Sequence, residues 1–435
     1  MIVIYTKEIS PRLSYTLNHV FYQQLGLSFE IVHDKTKLQN IALPIINYSD
    51  EMIENSLQIV PEDLLFQNTI EFWDMTFDAN HQIGLLEHSE NPKLSFDLLA
   101  AIFYLISRYE EYLFIENDEH NRFDVENSSL LKSECLNLPL VDIWIDDFKQ
   151  CLIAHFSLDK SIFKTKKFEV FPTIDIDSLF AFKGKSIGRQ FGGILKNLFQ
   201  LQLSLLTNRL KVLFTSQKDP FDNFDQQLSM WQTYQLRAQY FFHVGPYGKF
   251  DKNISNKHPY LKVVIDKIKT NGHDIGIHPS YQSNSDTIKI KSEIDTLHYL
   301  TQLPTHSSRQ HYLRFTLPYT YRALINNGIQ KEFSMGYAST TGFRAGTASN
   351  FYWYDLEKNE STNLEVLPFC MMDVAFKNGM ELTIDESIEY SENIIKVLKD
   401  YQLPFRFIIH NESLSNLNGW KGWQRLFMTW LDKSK

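Results

Sequence analysis

The sequence predicts an α/β fold in two parts, a smaller mixed module followed by a region of parallel strands with crossover helices packed outside. Three observations predict it. From Asp222 onward, helical and extended patterns alternate, as parallel strands joined by helices require, in either a barrel or an open sheet. Several extended segments end in Asp, His or Arg, and in both architectures the chemistry collects at the C-terminal ends of the strands. A polar, charged stretch without sustained period, Ser157 to Lys167, separates this region from the residues before it. The expected parts are residues 1–160, an accessory α/β module, and residues 166–435.

Composition narrows the function classes. A chain of 435 residues has room for two or three sizeable cores. Sparse Gly (17) and Pro (14) beside abundant Phe (33) and Tyr (21) exclude collagenous or low-complexity organisation. The net charge of -9 gives no general electrostatic reason to bind nucleic acid. Cys135, Cys151 and Cys370 lack the paired spacing of a zinc ribbon or redox pair and read as core thiols of a reducing compartment. The opening MIVIYTKEIS has no basic region leading into a long apolar one, so no signal peptide is read. No apolar run reaches the roughly 18 to 20 residues of a membrane span. The expected location is the cytoplasm, with peripheral contact at the inner membrane face.

In chain order, Ile2 to Tyr5 reads as a strand, and Ser10 with Pro11 as the N-cap and first residue of a helix running to about Gly26. Leu27 to Val32 is again extended. Phe96 to Phe114 is apolar on all sides of its first turns and reads as one buried helix, with Arg108, Glu110 and Glu111 at a solvated or ion-paired end. Asn117 to Ser128 reads as a polar loop, and a further amphipathic helix follows Pro139. Nothing in this module gathers His, Asp or Cys in a way that demands chemistry.

Ser178 to Lys218 contains seven basic residues and no acidic one, interleaved with Phe, Ile and Leu at helical spacing. One or two amphipathic helices are expected, inserted into the second part. They read either as a pair packed on the core with a solvated basic face, or as contact with an anionic membrane surface or a phosphate-bearing, lipid-linked substrate. Beyond them, Phe224, Leu228 and Trp231 mark a helix and AQYFFHV a buried strand. Pro259 to Asn271 forms a second helix, closed by Gly272, and HDIGIH the next strand.

The chain turns on FPTIDID, Phe171 to Asp177. Asp175 and Asp177, at period two, project from one side of a strand's C-terminal end. Two like charges that close call for a cation or for one proton held at raised pKa. His278 ends HDIGIH, RQHYLRF from Arg309 to Phe315 reads as a strand presenting Arg and His at period two, and His410 ends LPFRFIIH. A lone strand-end His is usually a satisfied core residue; its recurrence at successive ends is harder to dismiss.

This order of motifs resembles the polysaccharide deacetylase family, the NodB homology domain of carbohydrate esterase family 4, from about Thr165 onward. The resemblance implies a distorted (β/α) barrel that removes acetyl groups with a divalent metal, most often zinc. It implies Asp175 as catalytic base, Arg309 as the residue orienting that base, His410 as general acid, and Asp177 and His278 as metal ligands. The family's second motif carries another His four residues beyond the first, where this chain has Gln282. His311 is the expected replacement; weak binding by Gln282, or a site without metal, are the alternatives. A backbone N–H near Tyr312, itself expected at the substrate, is expected to meet the oxyanion, Arg344 to meet an anionic group of the substrate, and Asp373 to bond substrate or orient His410. Phe351 to Tyr354 are weighed as a sugar-stacking surface against ordinary packing. Trp420 and Trp423 read as part of a docking helix. The implied substrate is an acetylated sugar or glycan. A metal-independent hydrolase of C–N bonds on the same scaffold, or an inactive glycan-binding barrel, are the rival readings.

Overall fold

The computed structural model describes residues 1–39, 41–73, 75–77, 85–86, 93–113 and 116–435. The first sheet comprises β1 (Ile2–Thr6), β2 (Phe29–Val32), β3 (Ile45–Tyr48), β4 (Ser56–Ile59), β5 (Leu85–Leu86) and β6 (Lys93–Leu94) in the order β2-β1-β3-β4-β6-β5. All pairings are parallel except that of β5 with β6. Helix α1 (Pro11–Leu17) begins as expected, with Pro11 at its first position and the Ser10 hydroxyl accepting the Leu13 N–H. Helices α2 (Leu98–Ile106), α3 (Ser129–Lys132) and α4 (Leu140–Phe156) complete this part.

The single helix expected over Phe96 to Phe114 is interrupted. It ends at Ile106, Arg108 turns the chain with a left-handed φ of 56°, and Tyr109–Tyr112 form a 3-10 turn; Phe114 lies outside the described residues. The cause is the Arg108 guanidinium, fully buried and needing charge. The turn brings Glu111 Oε1 to 2.7 Å of its Nε and Glu110 Oε1 to 2.9 Å of its Nη2.

The second sheet is built from β7 (Glu169–Ile176), β8 (Gln239–Phe242), β9 (Asp274–Ile277), β10 (Ser307–Ser308), β11 (Lys331–Glu332), β12 (Phe351–Asp355), β13 (Glu360–Val366), β14 (Met371–Met372) and β15 (Pro404–His410). Its order is β12-β13-β11-β10-β9-β8-β7-β15-β14, parallel throughout except for β12. Among the described residues the terminal strands β12 and β14 are not paired with one another, so the ladder is open. Connecting helices are α5 (Ile187–Phe199), α6 (Leu203–Phe214), α7 (Phe224–Tyr234), α8 (Pro259–Thr270), α9 (Thr287–Thr301), α10 (Tyr319–Asn326), α11 (Ile384–Asp400) and α12 (Gln424–Lys433). The strand expected over Arg309 to Phe315 does not form: β10 ends at Ser308, and after Arg309 the chain turns through His311–Leu313.

The two sheets share one apolar core. Tyr15 on α1 packs against Tyr354 on β12 at 4.9 Å, and Phe103 on α2 meets the same ring at 5.2 Å. Phe351, Trp353 and Tyr354 are therefore core residues and no sugar platform. Asp142 on α4 accepts the Thr347 hydroxyl at 2.7 Å and the Ala348 N–H at 2.8 Å from the second part. Trp420 and Trp423 are buried edge to face just before α12.

Candidate metal centre and active site

Parallel pairing levels the strand ends. Asp175 lies opposite Phe241 and His410, Phe242 opposite Ile277, and Ile277 opposite Ser308. One residue past each strand stands a group with chemistry: Asp177 after β7, His243 after β8, His278 after β9, Arg309 after β10 and Asp373 after β14. His410 closes β15. The ladder bonds extend to these positions, His278 N–H reaching Phe242 O at 2.9 Å and Arg309 N–H reaching Ile277 O at 3.0 Å. Backbone register thus places the side chains before any side-chain contact forms.

Asp177, His278 and His311 bring one potential ligand atom each within 4.8 Å of the others. His278 Nε2 lies 3.1 Å from Asp177 Oδ1, and His311 Nε2 3.5 Å from Asp177 Oδ2. The far side of each ring fixes its tautomer. His278 Nδ1 contacts the Arg309 carbonyl at 2.6 Å, which only accepts, and His311 Nδ1 contacts Asp251 Oδ1 at 2.9 Å. In the neutral rings both Nε2 lone pairs then point at a carboxylate whose Oδ1 is buried without a hydrogen-bond donor. Converging acceptors need a cation or a proton between them. Two imidazoles and a carboxylate are a donor set that suits zinc and related divalent ions.

The charge balance agrees. Burial disfavours the Asp177 carboxylate, but the surrounding histidines, His311 foremost, outweigh it and hold the group well below its ordinary pKa. Burial likewise opposes a charged His311, yet Asp177 and Asp251 raise it to about 9. The site pulls positive charge to this point.

Asp251 also accepts the Tyr281 N–H at 3.0 Å, so a braced carboxylate orients His311. His243, Asp251 and His311 form a second close group. His311 faces it with the protonated Nδ1, so this group supports the first centre. His243 stacks on His311 at 5.0 Å, and burial lowers its pKa to about 4, keeping it neutral. Its Nδ1 lies 3.1 Å from the His278 carbonyl.

On one flank Asp175, buried, receives Arg309 Nη1 at 3.0 Å. The same nitrogen bonds the Thr173 hydroxyl at 2.8 Å, and the guanidinium lies 4.7 Å from the Phe241 ring centre. On the other flank His410 Nδ1 contacts Asp373 Oδ1 at 2.8 Å, leaving Nε2 3.9 Å from Asp177 Oδ2. Burial lowers the His410 pKa, but Asp373 overcomes it and raises the group to about 10.

Seven of the expected residues, Asp175, Asp177, His278, Arg309, His311, Tyr312 and His410, therefore come together. Tyr312 stands at the rim with a left-handed φ of 61°, its ring edge-on to His311 at 4.7 Å. Of the two roles expected of Asp373 its position fits the orienting one: it is fully buried behind His410, taking that residue's N–H at 2.7 Å and the Ser413 hydroxyl. The expectation for Arg344 is corrected. Arg344 is spent on Glu111, at 2.8 and 2.7 Å, in the buried ion-pair network with Arg108. It does not enter the cleft. Gln282 is exposed.

Sequence reasoning missed His243, although AQYFFHV ends in His just as HDIGIH does. It missed Asp251, which sits in an irregular loop with no periodic signal. It also missed a contribution from the first part. The chain folds back at a bridge between Asn117 and Phe123, and His120 Nδ1 reaches the Tyr281 hydroxyl at 3.2 Å. The His120 ring packs 5.0 Å from Tyr312 and 5.6 Å from Phe250, while Arg122 donates to the Tyr312 carbonyl at 2.7 Å.

Residues 2–157 match a family of unknown function, DUF7033. Among solved structures, the chain is similar to one assigned as a polysaccharide deacetylase from Mycobacterium smegmatis, at 11% identity and a TM-score of 0.39, covering 62% of this chain and 84% of that one. It is also similar to IcaB from Ammonifex degensii, at 13% identity and a TM-score of 0.23, covering 40% of this chain and 86% of that one. None of the curated proteins matches in sequence.

Proposed function

We propose that this protein is a metal-dependent hydrolase that removes an acetyl group from an acetylated sugar or glycan, on a divergent form of the deacetylase scaffold. One observation carries the reading: two imidazole lone pairs and a carboxylate converge between a buried Asp–Arg pair and a buried His–Asp pair. Asp177, His278 and His311 would hold the ion. A bound divalent cation, zinc foremost, supplies Lewis-acid polarisation of the acetyl carbonyl and draws the pKa of water towards roughly 7.

The remaining work falls to the chain's own groups. Asp175, aimed by Arg309, takes a proton from the water that attacks the acetyl carbon. The Tyr312 backbone N–H is the donor for the developing oxyanion. His410, protonated because Asp373 faces it, delivers a proton to the departing nitrogen or oxygen. The new C–O bond from water to the acetyl carbon forms first, and the C–N or C–O bond to the sugar then breaks as His410 protonates the leaving atom, giving acetate and a free amine or alcohol.

Elemental analysis of purified protein, with His278→Ala and His311→Ala beside it, is the test. The expected result is about one divalent ion per chain, lost in both variants, and release of acetate from acetylated sugars. Asp175→Asn is expected to keep the ion and lose about 100- to 10,000-fold in turnover. The same contacts are satisfied by a proton on His311, which favours a second reading, hydrolysis without metal. Metal-free protein that still releases acetate after chelation would establish that reading and overturn the first.

A further inference from the structure

The connection between β7 and α7 is a helical hairpin that, among the described residues, gathers a dense group of exposed large apolar side chains on its outer surface. Helix α5 carries Ile187, Phe191, Leu195 and Leu198 at intervals of four, four and three, a single stripe, and all four are exposed. The turn into α6 exposes Phe199 by 85% and Leu201 by 80%, and α6 ends in Phe214, exposed by 79%. Single exposed apolar side chains are ordinary on a protein surface, whereas a continuous stripe with an apolar tip marks a surface that is covered in use.

The inner side shows that the hairpin is a built element. Asn197, Arg209 and Val212 face inward and are buried, and Arg209 Nε bonds Asn197 Oδ1 at 3.1 Å across the two helices. The base is fastened by Asp219, whose carboxylate accepts the N–H groups of Ala181, Phe182 and Lys183 at 2.8 to 3.0 Å. Arg189 ties α5 to the carbonyls of Lys252 and Asn253, the residues directly after Asp251 of the candidate centre. The hairpin therefore rises from the same sheet end as the site and is pinned to the site's own loop.

Charge identifies the occupant. The whole chain carries -9, yet Ser178 to Lys218 holds seven cations and no carboxylate. Among the described residues only Lys218 of the seven is in an ion pair, with Asp222 and Asp225 at the base; Lys196 and Lys211 are exposed and uncompensated. An apolar tip and stripe flanked by uncompensated cations is complementary to anionic headgroups over acyl chains.

We propose that the α5–α6 hairpin docks this protein on an anionic lipid bilayer, with Phe199, Leu201 and the α5 stripe at the boundary between headgroups and acyl chains. No described helix is long and apolar enough to cross the membrane, so the contact is peripheral. Docking so places the mouth of the centre beside the bilayer. The inference stands on the hairpin alone and is independent of the reaction assigned to the site.

The test is flotation of the full chain with phosphatidylcholine vesicles, with and without phosphatidylglycerol. The protein is expected to rise with the anionic vesicles and stay below with the neutral ones. Lys196→Gln with Lys211→Gln is expected to weaken partitioning by roughly 30-fold, and Phe199→Ser with Leu201→Ser to abolish it. All four side chains are exposed, so circular dichroism of the variants should match the parent. Failure to float with anionic vesicles overturns the proposal, as does equal flotation of parent and variants. A lipid-independent dimer that Phe199→Ser dissociates would reassign the face to a second copy of the chain.

Discussion

At the residue scale, the centre is decided by what lies behind each ligand. In the proposed centre His311 would supply the second imidazole, and Asp251 holds its Nδ1–H in the orientation this needs. Asp251→Asn is therefore expected to leave the fold intact and weaken metal affinity about 10- to 100-fold, measured by competition with a chelating dye. Asp373 sets the proton on His410. As the proposed proton donor His410 works only while charged, and its pKa is raised to about 10. In Asp373→Asn burial remains and the largest attraction is gone, although Asp177 and Asp175 still favour the charged ring, so the pKa of His410 falls below that of the parent. The alkaline limb of the pH–rate profile should therefore move to lower pH, with the lost turnover recovered on acidification. Asp175, Asp177, His278, Arg309 and His410 were legible in the sequence because each stands where an apolar run stops. Asp251 was not, since its role exists only once a loop folds over the sheet. Arg344 was misread because sequence alone cannot tell a cation facing solvent from one enclosed by Glu111.

At the element scale, the segment closed by the Asn117–Phe123 bridge brings the first part against the candidate site. It read as an ordinary polar loop, because its partners, Tyr281, Phe250 and Tyr312, are more than a hundred residues away in sequence. His120 packs against Tyr281 and Tyr312 beside the proposed centre and contacts none of the proposed acid–base residues in the contacts described. His120→Ala is expected to raise KM about 3- to 10-fold, the worth of one aromatic contact, with kcat nearly unchanged in steady-state kinetics. The alternation of helix and strand after Asp222 was legible down to Gly272, which follows α8 with φ of 82°. The break at Arg108 was not, because a helix pattern does not announce a buried guanidinium that needs two carboxylates.

At the scale of the whole molecule, the polar linker before β7 separates two sheets in sequence while their cores are continuous in space. Asp142 illustrates the bond between them: buried on α4, it satisfies backbone and hydroxyl groups of residues 347 to 349. Asp142→Ala is expected to cost about 1 to 3 kcal/mol by leaving those donors unpaired. Denaturant unfolding, followed by tryptophan fluorescence and by far-ultraviolet circular dichroism, should show one transition that shifts as a unit. Two transitions, of which only one moves, would mean that the halves fold separately.

The level edge of the second sheet has an evolutionary corollary. Each strand terminus is a socket whose height is set by main-chain pairing, whatever side chain occupies it, so neighbouring sockets are nearly interchangeable as sources of an imidazole. In the proposed centre an imidazole supplied from beyond β10, as by His311, leaves the positions of Asp177 and His278 unchanged. Inserting or deleting one residue within β7 would do the opposite, turning Asp175 and Asp177 to the other face at a stroke. Such a scaffold tolerates exchange of ligands between strands far better than slippage along one.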